Sequence, residues 1–458
     1  MSLLKIVLIL MIASSIAQAV PQDVYLEIYN RDQALVREIH TVDLDKGLNS
    51  IDFRGIAEGI YGHTAQITPL KHPENVNTRS VSYNYDLVTH DKLLQKYLGQ
   101  WFSFNADDMI YEGRLLRMDD EHIFLQPDTT ELTIEVIQRG KLTEMYYPSL
   151  PEGLYTEPTI VWTVNSDKKH KNEPVELSYL TSDVSWMCDY RAEIIDDGKL
   201  KLSGYFTIDN QLPISFQNAN IALVAGSTHR STDPAGSDAS AVEQRSGQSD
   251  DKRSGADAQK FFEYYRFTLE NKFDLQSNRT IQTPYFEAMS ITAEKRFTLP
   301  HLYEGENVRV QYILANSKAN GLGLPLPEGD IGIYRRADDG ALSFVGEDFL
   351  GMTPVGGEAK IDVGSAFDLT AKRQRLAQVR PAMNKHEETW QVEINSARDA
   401  DCVVHVEQKV FGYFTLKSAT VNGADVSADS ENAGSLIFLV KVDGNSVSKL
   451  IFTLEYGY

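Results

Sequence analysis

Cysteine is almost absent: the 458 residues hold two, Cys188 and Cys402. That excludes a disulfide scaffold, and no CxxC or Cys/His cluster offers a zinc site. Each cysteine sits in a strand-like apolar setting, which predicts small buried hydrophobes without a mutual bridge. Basic residues are outnumbered, 44 Lys+Arg against 65 Asp+Glu, giving a formal net charge of −21. Such a surface repels phosphate backbones and anionic head groups, so no nucleic acid is expected as a partner and membrane surfaces are poor ones. Long apolar runs are missing after the first twenty residues, so no transmembrane helix is expected. Catalytic signatures are missing too. There is no G-x-S-x-G elbow and no H-E-x-x-H, because His386-Glu-Glu-Thr lacks the second histidine. The ten histidines are scattered singly, with His40 and His405 inside predicted strands. No catalytic, cofactor-binding or metal-ligating residue and no cofactor is assigned. Carboxylates are plentiful, and a glycosidase-like pair stays open because the fold sets its distance.

The chain does have a leader grammar. Lys5 precedes an apolar run, Ile6 to Ile12, followed by small residues and Ala17-Gln18-Ala19. That pattern predicts a secretory signal peptide over residues 1–19, cleaved after Ala19, with a mature chain from Val20 in the periplasm or outside the cell. Loss of the leader's single charge takes the net charge from −21 to −22.

Beyond it, apolar and polar residues alternate almost everywhere, the mark of half-buried strands. Leu200, Leu202, Phe206 and Ile208 share one face, as do Val308, Val310, Tyr312 and Leu314, and Trp390, Val392 and Ile394. Asp196-Asp-Gly198 and Asp338-Asp-Gly340 are hairpin signals. The fold class expected is mainly β, with tandem antiparallel, immunoglobulin-like β-sandwiches and a small SH3-like or Sm-like barrel inserted near the N-terminus.

The divisions expected are an N-terminal β-domain over 20–88 and a short helix plus small barrel over 89–150. A sandwich follows over 155–300, then a C-terminal sandwich over 301–458. One helix is predicted from Asp91 to Leu98, with Thr89 as N-cap and Gly99 past its end. In the strands around Thr181-Ser-Asp183 the buried parity slips by one, which requires a bulge or turn there. Ser227 to Lys260 holds no aromatic, Leu or Ile and is expected to be a flexible insert (227–260).

Gly321-Leu-Gly-Leu-Pro-Leu-Pro-Glu-Gly329 could be a phosphate cradle or a structural loop. Its prolines remove backbone donors and favour the loop. Trp186 is expected in a core, whereas Trp101 and Phe102 are better placed for the surface. Leu450, Phe452 and Leu454 are expected on the buried face of the last strand, opposite Ile451, Thr453 and Glu455. A strand ending in an aromatic also suits an outer-membrane barrel, but the long charged stretches argue for water on both sides of the chain.

The second half resembles a family of bacterial envelope proteins that share a domain of unknown function and include the mucoidy-inhibitor-like proteins. The likeness rests on Pro174-Val-Glu-Leu-Ser-Tyr-Leu180, Ser185-Trp186, Asp189-Tyr190, Ser215-Phe-Gln-Asn-Ala219 and Val224-Ala-Gly226. It continues through Asn320 to Gly329, Gly346-Glu-Asp348, Thr353-Pro354, Ala366-Phe-Asp368 and Glu388-Thr-Trp390. The longer members carry an N-terminal coiled coil where this chain has the small barrel. The resemblance implies no catalytic residues. Together these readings predict an exported, non-catalytic binding or structural component of the cell envelope, partnered by an envelope protein or a glycan. An envelope hydrolase acting on glycan or peptide is the alternative.

Overall fold

The computed structural model describes residues 21–457 apart from 31, 85–88, 108, 128–132, 150, 152–153, 227–255, 262–263, 303–305 and 433. The leader and most of the 227–260 insert lie outside the described residues. The chain is mainly β, as the alternation predicts, and among the described residues it has one α-helix, His90–Lys96. Thr89 caps that helix by accepting a hydrogen bond from the Lys92 N–H, and Gly99 follows with φ +80°. No helix among the described residues is long and apolar enough to cross a membrane.

An eight-stranded sheet runs in the order Ala256–Phe261, Tyr264–Leu269, Phe216–Ala225, Pro21–Tyr29, Gln33–Leu44, His170–Thr181, Gln66–Pro69, with Phe273–Leu275 paired to Phe216–Ala225. Val184–Asp196, Lys199–Asn210, Arg279–Thr292, Gly329–Arg336 and Leu342–Leu350 form a second sheet, and Gly47–Arg54, Thr159–Ser166 and Val76–Asn84 a third. One core fills the space among them, with Leu26, Ile28, Trp162, Tyr179, Phe206, Phe267 and Tyr285 fully buried. Strands from 20–88 therefore share sheets and core with strands from 159–350, so this core cuts across the divisions drawn from sequence. The parity slip at 181–183 is a corner between sheets. His170–Thr181 lies in the first sheet and Val184–Asp196 in the second, and Asp183 turns the chain with φ +64°.

Two sequence expectations are corrected. Ala256 to Lys260 is not loop but most of the strand Ala256–Phe261, because Tyr264–Leu269 gives it a complete antiparallel partner and Ala256 is buried. Nor is pairing antiparallel throughout. Pro21–Tyr29 with Phe216–Ala225, Val184–Asp196 with Gly329–Arg336, and Glu294–Leu299 with Cys402–Lys409 are parallel. Parallel neighbours need a crossover of about a dozen residues or more, and each of these pairs joins strands far apart in sequence.

Residues 101–146 make a separate five-stranded sheet with its own small core of Leu94, Phe102, Phe104, Leu115, Ile123 and Leu125. The C-terminal part is a ten-stranded sheet wrapped over Leu369, Val392, Val404, Phe438, Leu450, Phe452 and Leu454. Its longest strand, Glu358–Ala382, begins in the large core at Ala359 and Ile361, reaches the C-terminal core at Leu369, and continues as an exposed hairpin with Lys385–Ser396. The last strand, Val447–Gly457, pairs on both sides, with Lys385–Ser396 and Tyr413–Val421, and buries Leu450, Phe452 and Leu454 as expected.

Candidate functional site

At one end of the ten-stranded sheet the strands part around a cleft of about 450 Å³. That volume is in the range of sites for small molecules. Four strands and one connection reach it: Arg373 from Glu358–Ala382, Glu388 and Trp390 from Lys385–Ser396, Gln408 from Cys402–Lys409, Tyr456 from Val447–Gly457, and His301 from the connection after Glu294–Leu299. Phe411 and Gly412, between Cys402–Lys409 and Tyr413–Val421, form the rim, and Phe411 is 69% exposed.

The aromatic wall is held by a carboxylate. Glu388 accepts from the Trp390 indole N–H at 3.0 Å and from Arg375 at 3.1 Å. The Arg375 guanidinium also lies 5.8 Å from the Trp390 ring centroid, a cation–π contact. His386 stacks on Tyr456 with centroids 4.9 Å apart. Burial, with Glu388 adding to it, raises the Tyr456 hydroxyl to about 12, so it is a neutral donor at physiological pH.

Arg373 is the exception in this ordered wall. Its Nη2 donates to the backbone carbonyls of Glu407 at 2.9 Å and Leu299 at 3.4 Å. Its Nε and Nη1 are buried and have no hydrogen-bond partner among the described residues. Burial pulls its pKa down to about 10, against the opposing pull of Glu306 and Glu407, so the side chain is cationic at neutral pH. A buried cation without a paired anion is costly. The cleft therefore combines aromatic side chains with incompletely compensated positive charge in a protein of net charge −21. Glycoside hydrolysis by the usual route needs two carboxylates flanking the bond. Among the described residues the lining offers Glu388 alone, already engaged by Trp390 and Arg375.

None of this was legible as a motif, because the residues meet only through strand pairing. The segments that sequence singled out are structural. In the glycine-rich loop Leu322, Leu324 and Leu326 are buried, and Gly321 and Gly323 take φ +90° and +82°. Tyr190 and Tyr285 donate to the carbonyls of Pro327 and Pro325. Trp186 is buried edge-on to Phe206. Trp101 is exposed, while Phe102 belongs to the small core. His40 is buried, 2.9 Å from the Glu38 carboxylate. His405 is paired in strand Cys402–Lys409. Cys188 lies in the large core and Cys402 packs on the C-terminal one, and both are free thiols.

A second polar cluster lies elsewhere. His72, His170 and Glu173 bring a ring nitrogen each and a carboxylate oxygen within 4.8 Å of one another. Burial tends to raise the Glu173 pKa, but hydrogen bonds from the His72 ring and from the His72 and Lys71 backbone N–H groups outweigh it and hold the carboxyl below its ordinary value. His170 and Glu173 were missed because three residues of regular strand would put them on opposite faces. No protein-family model matches this chain, and no curated protein matches it by sequence.

Proposed function

We propose that the chain is an exported, non-catalytic binding protein of the bacterial cell envelope whose C-terminal cleft takes an acidic sugar unit of a glycan. The observation that carries the reading is the Arg373 guanidinium, two of whose nitrogens are buried without a partner among the described residues, lining the same cleft as Trp390 and Tyr456. Guanidinium pairs with carboxylate through strong, directional, charge-assisted hydrogen bonds. Aromatic faces accept the apolar face of a pyranose ring. Export rests on the leader grammar of residues 1–19 and the envelope on the ordered resemblance over 155–458. That Glu388, the one carboxylate lining the cleft among the described residues, is already engaged supports binding over hydrolysis.

Titration calorimetry of the mature protein with uronic-acid oligosaccharides and their neutral counterparts tests it. Saturable binding of the acidic series alone is expected. Arg373→Met should weaken it by roughly 10- to 100-fold, as fits a lost charged hydrogen bond of about 1.5–3 kcal/mol. Equal binding of both series, or turnover of either, would overturn the reading.

A further inference from the structure

The chain's other polar cluster sits where the large core reaches the surface, far in sequence from the cleft. Strand His170–Thr181 pairs with Gln33–Leu44 so that His170 faces Leu44 and Glu173 faces Val42. Three steps on one strand thus match two on the other, which is a β-bulge. Asn172 absorbs the extra residue with φ +52°, and its N–H donates to Asp43 Oδ1 at 2.8 Å. The bulge turns His170 and Glu173 to the same side, both more than nine-tenths buried.

His72 comes from the connection between Gln66–Pro69 and Val76–Asn84, strands of two different sheets. Main-chain bonding holds this connection to the bulged strand, since the Leu70 N–H donates to the Pro174 carbonyl at 2.9 Å. Glu173 Oε1 accepts from the backbone N–H groups of Lys71 and His72, at 3.1 and 2.8 Å, which leaves Oε2 facing His72 Nδ1 at 2.6 Å. The two imidazoles stack with centroids 4.5 Å apart. His170 Nε2 is buried and has no hydrogen-bond partner among the described residues.

We propose that His72, His170 and Glu173 bind one zinc ion. Two imidazoles and a carboxylate are a donor set that suits zinc, and three protein ligands leave its fourth position open. The His72 side chain is 34% exposed, so that position is reachable by water or a small ligand. The two backbone N–H groups on Glu173 Oε1 are the outer contacts that orient a ligating carboxylate. The unpartnered buried nitrogen of His170 is what a metal, rather than a purely structural histidine pair, accounts for. The ion clips the 70–75 connection to the bulged strand and thereby ties the edges of two sheets together.

The test is a competition titration of zinc against a chromophoric chelator, using tag-free mature protein, with bound metal counted by mass spectrometry after dialysis. One equivalent is expected. His72→Ala, at a partly exposed position, and Glu173→Gln, which keeps the backbone acceptor, should each weaken binding by more than about 100-fold, since loss of outer-shell contacts alone costs 10- to 100-fold. Zinc should raise the thermal midpoint of the wild type and leave that of His72→Ala unmoved. Cobalt(II) on the wild type should give the intense visible absorption of a four-coordinate site, which needs no variant to fold. Substoichiometric zinc, wild-type affinity in both variants, or the weak spectrum of six-coordinate cobalt would each overturn the assignment.

Discussion

The glycine-rich loop at 321–329, with the Asn316 side chain that holds it, and the C-terminal cleft both gather polar groups against apolar surroundings, and they close them differently. In the loop, fully buried Asn316 donates to the carbonyls of Leu324, Thr353 and Pro354 and accepts from the Gly323 N–H. The hydroxyls of Tyr190 and Tyr285 take the carbonyls of Pro327 and Pro325 at 2.7 and 2.8 Å. A network satisfied in this way rigidifies and specifies one packing. In the cleft, two Arg373 guanidinium nitrogens are buried with no partner among the described residues. An unsatisfied buried donor costs about 1–3 kcal/mol, and more when charged. The loop has completed its chemistry within the chain, whereas the cleft leaves a deficit of the kind that the proposed anionic ligand would remove. Incomplete closure, not glycine content, sets the cleft apart from the loop.

Breaking the closed side should have the largest effect. A Cβ on Gly329 would lie 1.6 Å from the Cys188 carbonyl oxygen, a backbone atom of the neighbouring parallel strand. Gly329→Ala should therefore cost more than about 4 kcal/mol in urea unfolding, or prevent folding outright. A cost near zero would show that the two strands separate freely there. Phe452→Ala comes next. Its ring stacks on Phe438 at 4.9 Å in the C-terminal core, and the truncation should cost about 3–5 kcal/mol.

The sharpest contrast is between Asn316→Leu and Arg373→Met. The first strands the Leu324 carbonyl and the Gly323 N–H in a packed interior, while the Thr353 and Pro354 carbonyls keep their bonds from the Leu326 and Gly357 N–H groups, and it should cost about 2 kcal/mol or more. The second removes a partly buried, incompletely compensated cation and keeps most of its volume. It should be neutral or stabilise the ligand-free protein by about 1–4 kcal/mol. Paired urea titrations decide it, and a strongly destabilised Arg373→Met would place that guanidinium among the structural groups.

Sequence legibility follows the range of the interactions. Thr89 and Gly99 declared the helix because capping acts within one turn. Leu200 to Ile208 and Leu450 to Leu454 declared their buried faces because strand parity is local. The slip at 181–183 was visible, but not that it carries the chain between sheets, since that depends on partners more than a hundred residues away. The cleft draws on residues from His301 to Tyr456, and parallel pairing of Glu294–Leu299 with Cys402–Lys409 brings the first of them in. For His170 and Glu173 a faint signal existed. An Asn two residues after the His tolerates left-handed backbone, and so allows the bulge that aligns them.

The two cysteines offer the finest test of how completely each core is closed. Cys188 is fully buried beside the tight Gly329 contact, and burial lifts its thiol from 9.0 to about 12. Cys402 is partly exposed, and burial lifts its thiol as well. Since only the thiolate reacts, roughly one Cys188 in ten thousand is reactive at about pH 8 even before access is considered. Native protein should take up one iodoacetamide label, at Cys402, and a second only after unfolding. The same shift has a signed effect on stability. The folded-state pKa lies above the unfolded value, so the contribution is fully present below pH 9 and is lost as pH rises from 9 towards 12. The loss is at most about 1.4 kcal/mol per pH unit from this one group. Buried Tyr179, Tyr190 and Tyr285, whose hydroxyls burial also raises, act in the same direction at higher pH. Cys188→Ala should therefore flatten the onset of alkaline unfolding near pH 9–10 and leave the later decline in place. Equal native labelling of both thiols would show that the strand pair at Gly329 opens, and the closed side of the molecule would then be no tighter than the cleft.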